Sequence, residues 1–236
     1  MHGILQIGII TFFCHSLYVV FLRHQSMKAG KSMKKRFVSL LVALSITLTF
    51  LPIGAVAAAP IKIGNLKYTV NADGKSVTVS GTSRNPKQLT IESSISDGNG
   101  NSYTVTKIGM GAFNSTLEEV TLPPTLDEIE DSAFFKCSSL TEITIPEGVT
   151  KIGTNAFYGC SQLTSITIPS TIKNMDTAFP SNPKLSQVTL TNGIYRISSS
   201  AFKDCTGLTE IKIPTSVYEI CSDAFNGCTG LTSVTL

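Results

Sequence analysis

Tryptophan is absent from this 236-residue chain, and histidine and acid are confined by position. All three histidines, His2, His15 and His24, precede residue 57, and residues 1–57 contain no Asp or Glu. The chain beyond residue 57 thus has no His. That excludes a Ser-His-Asp triad, a His-activated cysteine and a His-ligated metal there. Residues 1–57 hold Arg23, Lys28, Lys31, Lys34, Lys35 and Arg36, which leaves 13 of the 19 basic residues against all 16 acidic ones. The later region carries a net charge of −3, although the whole chain is formally +3. A basic nucleic-acid-binding surface needs clustered Lys and Arg, so nucleic acid is not an expected partner.

The amino-terminal segments read as targeting. Met33-Lys34-Lys35-Arg36 is a positive start, and Phe37 to Leu51 is an apolar run shorter than the ~20 residues a membrane span needs. Pro52 and Gly54 break it, and Ala55-Val56-Ala57 is an A-x-A cleavage site. Together these predict a secretory signal at 27–57, cut so that the mature chain begins near Ala58 without a membrane span. No cysteine follows the run to carry a lipid. Residues 1–26 are a second hydrophobic leader, long enough to span a bilayer, or the product of an upstream start, with initiation at Met27 or Met33.

The remainder is periodic. Leu117, Leu140, Leu163, Leu185, Leu208 and Leu231 lie 23, 23, 22, 23 and 23 residues apart. Each opens a unit of the form L-x-x-I-x-I-P, then V-x-x-I-G, then A-F-x-x-C. Ala-Phe recurs at Phe113, Phe134, Phe157, Phe179, Phe202 and Phe225. In the unit from Leu140, Ile143-Thr144-Ile145 alternates as a strand does, Pro146 ends it, and Val149 and Ile152 begin a second extended piece. One unit cannot cover its apolar side; units stacked about 4.8 Å apart can. The expected fold is a mainly β repeat solenoid with short helical or irregular returns over 103–236. A small N-terminal β cap over 58–102 precedes it. Within the cap, Leu66 to Val70 and Ser76 to Ser80 flank an Asp73-Gly74 turn, a hairpin signal.

This pattern resembles the BspA-type leucine-rich repeat family of bacterial surface proteins, over about residues 103–236. The resemblance implies a secreted or cell-surface protein, not an enzyme, that binds protein or other macromolecular ligands in adhesion. The alternatives are a structural spacer displaying another module, or the recognition part of a longer secreted enzyme. Two units depart from the pattern. The third is one residue short, with Pro180 and with Asn182 in place of cysteine. The fourth has Thr191-Asn192-Gly193 where others have Pro. A local kink is expected. The chain stops at Leu236, just after a strand and before any closing cap, which suggests that the array continues.

Candidate sites are few, and no cofactor or metal is expected. Cys137, Cys160, Cys205 and Cys228 share one repeat position. They are either two disulfides between stacked neighbours or a ladder of buried thiols. Asn182 in the same column argues for a small inward group and so for the ladder. Cys221 lies outside the column and is expected to be more exposed. The Asp97-Gly98-Asn99-Gly100-Asn101 run resembles the opening of a calcium loop. Ser102 and Ile108 stand where that loop needs Gly and Glu, so a plain turn is expected. Glu118, Glu119, Asp127, Glu128, Glu130 and Asp131 crowd the first unit and read as a solvated face. Thr144, Thr167 and Thr189 form an outward column beside Glu142, Gln187 and Glu210, a candidate binding face, although Thr is also simply a good strand residue. Tyr195 and Tyr218, at equivalent places in successive units and flanked by Arg196, are the candidate contact patch.

Overall fold

The computed structural model describes residues 59–236. The leader at 1–26 and the signal at 27–57 lie outside the described residues. The strands are β1 (Ile61–Ile63), β2 (Leu66–Val70), β3 (Ser76–Thr82), β4 (Gln88–Thr90), β5 (Ser94–Ser96), β6 (Ser102–Ile108), β7 (Glu119–Thr121), β8 (Glu128–Ile129), β9 (Lys151–Ile152), β10 (Ser165–Ile168), β11 (Asn174–Met175), β12 (Gln187–Leu190), β13 (Arg196–Ile197), β14 (Glu210–Lys212), β15 (Glu219–Ile220) and β16 (Ser233–Thr235).

The antiparallel part comes first. β1, β2 and β3 pair in sequence order. The β2–β3 turn is fixed locally: the Asp73 carboxylate accepts hydrogen bonds from the Lys75 and Ser76 amides and the Ser76 hydroxyl. Gly74 takes the left-handed φ of +65° that the turn requires. β3 then pairs parallel to β6, which hands the fold over to parallel stacking.

Parallel strands form two tracks. On the first, β4 pairs with β7, and further along β10, β12, β14 and β16 pair in order. On the second, β6, β8 and β9 pair, and then β11, β13 and β15. The tracks reach back to Gln88, upstream of the first full unit. The second track is interrupted between β9 and β11, at the entry to the short third unit. In the fourth unit, a Cβ on Gly193 would lie 2.6 Å from the Ser170 carbonyl oxygen. Only glycine lets the chain pass so near the preceding rung.

One expectation needs correction, and one alternative is decided. Ile143-Thr144-Ile145 keeps its alternation, with both isoleucines buried and Thr144 exposed, but joins no ladder. Proline ends this rung at Pro146, but Pro169 and Pro214 end the laddered β10 and β14 rungs as well, so proline is not what leaves it open. The only backbone bonds joining this segment to its neighbours lie at its start, Thr141 to Glu118 and Thr164 to Thr141. The returns are turns, and no helix occurs among the described residues.

Each return drives its phenylalanine inward. Phe113, Phe134, Phe157, Phe179, Phe202 and Phe225 stack ring on ring, with successive centroids 4.8, 4.9, 5.0, 5.8 and 5.5 Å apart. Phe134 to Phe202 are fully buried, as are Leu140, Leu163, Leu185 and Leu208. The in-register repeat thus converts a short sequence pattern into one continuous apolar column, which is what stabilises a solenoid.

Candidate functional site

The first track presents an outward face. Register places Ser165 beside Gln187, Thr167 beside Thr189, Thr189 beside Lys212, and Lys212 beside Thr235. Glu142, Thr144, Thr167, Gln187, Thr189 and Glu210 are all exposed. Glu142 and Thr144 sit on the unladdered segment. Two of the shallow depressions on this face lie along the stack. One, of about 330 Å³, is lined by residues of β12, β14 and β16. The other, of about 380 Å³, lies between Val120 and Ile143, where the ladder is open.

The second track carries a different column. Its outward positions read Lys107, Glu128, Lys151, Asn174, Arg196 and Glu219 along the stack. Glu128 bridges Lys107 at 2.6 Å and Lys151 at 2.7 Å. Burial opposes its ionisation, but the hydrogen bonds from the two lysines outweigh that and hold the carboxyl below its ordinary range. Arg196 pairs with Glu219 at 3.0 Å, and its Nε lies 3.1 Å from the Cys221 sulfur. One place earlier in each unit stand Asp127, Thr150, Lys173, Tyr195 and Tyr218.

Tyr195 is 44% exposed and Tyr218 74%. Their centroids are 6.3 Å apart with the planes tilted by 30°, and the Lys173 ammonium sits 5.6 Å from the Tyr195 centroid. The Lys173 Nζ also donates to the Ser170 carbonyl at 3.0 Å. The tyrosines are therefore brought together, with Arg196 beside them. The repeat alignment missed Lys173. The signal for it was present, since Lys173 occupies the tyrosine column one unit earlier.

The buried column holds free thiols at Cys137, Cys160, Cys205 and Cys228. The reason for Asn182 goes beyond size. Cys160, Cys205 and Cys228 each donate a thiol hydrogen bond to the carbonyl of a phenylalanine 26 residues earlier: Phe134, Phe179 and Phe202. Asn182 donates its amide to Phe157 and Phe179. The position calls for a donor as well as small size. Burial pushes the Cys137 and Cys205 thiols up to about 12 and raises Cys160 and Cys228 as well. These thiols are poor nucleophiles. Cys221 is half-buried at the surface.

The remaining candidates are absorbed by local structure. Asp97 accepts from the Asn99 and Asn101 amides and the Asn101 side chain, so its carboxylate closes the β5–β6 turn. In the acidic first unit, Glu118 bridges Lys87, Glu119 accepts from Gln88, Asp127 from Thr150, Glu130 from the Met110 amide, and Asp131 from the Thr154 amide. Among the described residues, no group of three or more His, Cys, Asp or Glu side chains gathers as metal ligands. No described helix is long and apolar enough to cross a membrane.

Comparison with known proteins agrees with this architecture. The sequence pattern of the BspA type Leucine rich repeat region matches in six copies, over residues 92–208 and 175–236. No curated protein matches the sequence. A crystal structure of a leucine rich cell surface protein from Faecalibacterium prausnitzii is 24% identical with a TM-score of 0.55, covering 77% of this chain and 55% of that one. A leucine-rich repeat protein from Bacteroides capillosus is 30% identical with a TM-score of 0.52, covering 56% of this chain and 99% of that one. The pneumococcal vaccine antigen PcpA is 21% identical with a TM-score of 0.51, covering 75% and 49%. The chain thus spans about half the length of the Faecalibacterium and pneumococcal proteins.

Proposed function

The chain belongs to the BspA-type leucine-rich repeat family, and from that premise we propose that it is a secreted, surface-displayed adhesion module that binds macromolecular partners. Repeats of this family are as a rule binding modules rather than catalysts. On this reading residues 27–57 direct export and are removed near Ala58, 58–102 cap the array, and 103–236 present its surfaces. A filled solenoid offers broad faces with shallow relief, which suit a macromolecule better than a small molecule.

The observation that carries the proposal is the pair Tyr195 and Tyr218. These two large rings are left exposed side by side, Tyr218 the more so, whereas the Phe134 to Phe202 column is buried. Aromatic anchors of this kind dominate interface energetics. The Thr144, Thr167 and Thr189 column, with Glu142, Gln187 and Glu210, is the second candidate face.

The test is capture of host-surface and cell-wall material by the wild type and by Tyr195→Ala/Tyr218→Ala. Loss of capture by the double variant at unchanged melting temperature is expected. Equal capture by both would move the proposal to the threonine face. No capture by either would favour a spacer.

A further inference from the structure

We propose that the solenoid carries a hinge between its second and third units, fastened along the returns and open along both strand tracks. Among the described residues, no sheet crosses this boundary. The sheets before it end at β7 and β9, and those after it begin at β10 and β11. On the first track, Ile143-Thr144-Ile145 ladders with neither β7 nor β10. On the second track, two backbone bonds flank the strand at the junctions before and after. The Thr150 and Tyr195 amides donate to the Asp127 and Lys173 carbonyls, and the Gly153 and Ser198 amides to Ile129 and Met175. The equivalent bonds at the boundary, Lys173 to Thr150 and Asp176 to Ile152, are both missing. The repeat also loses its residue here: two residues separate Met175 from Ala178, where three separate Ile152 from Ala156.

The returns do cross the boundary. Asn155 donates to Thr177, Phe157 to Ala178 and Gly159 to Pro180, and the Phe157 and Phe179 rings stack 5.0 Å apart. The strand side keeps one backbone bond, Thr164 to Thr141, and side-chain bonds such as Thr171 to Val149 and Ser170 to Glu147. One side of the rung is thus held by backbone bonds and packed rings, and the other has no ladder to break. Regions of sparse backbone bonding open at the lowest cost, and hinges absorb the change at a few element-terminal residues. Bending about the returns parts the rung edges and keeps the phenylalanine column. It also exposes part of Ile143 and Ile166, which are buried on the facing rungs, and this limits its amplitude. The boundary divides the outward threonine face: Glu142 and Thr144 lie on one side, Thr167, Gln187 and Thr189 on the other. The hinge angle therefore sets the curvature of that face, whatever binds there.

The test uses the full chain carrying Cys221→Ser, because the other described thiols are buried. Nitroxides attached through p-acetylphenylalanine replace Thr90 and Lys212, which are exposed on the first-track face on either side of the boundary. Double electron–electron resonance then reads the distance between them. A distribution with a tail toward long distances is expected. Joining Thr144→Cys to Thr167→Cys with a bismaleimide should remove the tail. The same link between Thr167→Cys and Thr189→Cys, on laddered strands, should leave it. A narrow distribution before cross-linking, a tail that survives the first link, or its equal loss with the second would overturn the hinge. Hydrogen exchange on the unmodified chain gives a second reading. The Lys173 and Asp176 amides should exchange faster than Tyr195 and Ser198, while Asn155, Phe157 and Gly159 stay protected. Equally fast exchange at those return amides would mean that the whole unit unravels, and would also overturn the hinge.

Discussion

Asn182 is fully buried and leaves its side-chain oxygen without a partner, while its amide serves two phenylalanine carbonyls. Removing that donor leaves the Phe157 carbonyl unpaired, while Phe179 keeps the Cys205 thiol, so Asn182→Ala should cost about 1–3 kcal/mol in urea denaturation. Asn182→Cys restores the donor of the other rungs and removes the orphan oxygen, so it should be neutral or stabilising. The thiols give a second prediction. Their folded pKa values lie above the unfolded value of about 9. The native state therefore keeps protons that the unfolded chain loses. Stability is fully present below about pH 9 and declines as pH climbs from there toward 12, by about 1.4 kcal/mol per pH unit for each such thiol. Thiol-reagent kinetics should show Cys221 labelled first in the folded protein, with the column reacting only on unfolding and without reductant. The repeat spacing showed that Asn182 and the cysteines share a place. It did not show what the place demands, because a column alignment records equivalence and not the direction of a hydrogen bond.

Each return contains residues held in the left-handed region. Ser132, Asn155, Ser200 and Asp223 precede the inward alanine, and Lys136, Ser181 and Asp204 follow the phenylalanine, all with φ between 55° and 60°. Gly159 and Gly227 fill the second position in their own units. Lys136→Gly should therefore stabilise by about 0.5–1 kcal/mol, seen as a higher melting temperature, because lysine bears a left-handed cost that glycine avoids. The opposite case is Gly153, whose added Cβ would lie 2.5 Å from the Asp131 amide nitrogen and 2.8 Å from the Glu130 carbonyl carbon. Gly153→Ala should cost about 1–3 kcal/mol by the same measurement. The elements were partly legible. The hairpin at Asp73-Gly74 and the inward isoleucines followed from turn chemistry and alternation. The open ladder at Ile143 to Ile145 did not, because alternation reports which side chains are buried and says nothing about whether neighbouring backbones bond.

At the scale of the molecule, each unit contacts only its neighbours, so local damage divides the array. Phe157 is fully buried between Phe134 and Phe179. Phe157→Ala should cost about 3–5 kcal/mol and split the urea transition, with the two sides melting separately. A single uniform transition at unchanged midpoint would contradict this. The solenoid itself was readable because its leucines recur within one residue of a fixed period. The tyrosine pair was readable from the repeat, and the same column holds Lys173 one unit earlier, but only the stacked rungs show its ammonium over the Tyr195 ring. The donor column has one more consequence. From Cys160 onward each rung donates backward to the carbonyl of the rung before it, and Asn182 already reaches Phe157 as Cys205 reaches Phe179. Excising the whole third unit would let Cys205 meet Phe157 instead, with no acceptor stranded. Gain or loss of a whole unit thus needs no compensating change in this column. The same event would set Thr150 where Lys173 now faces Tyr195, so length and surface chemistry vary together.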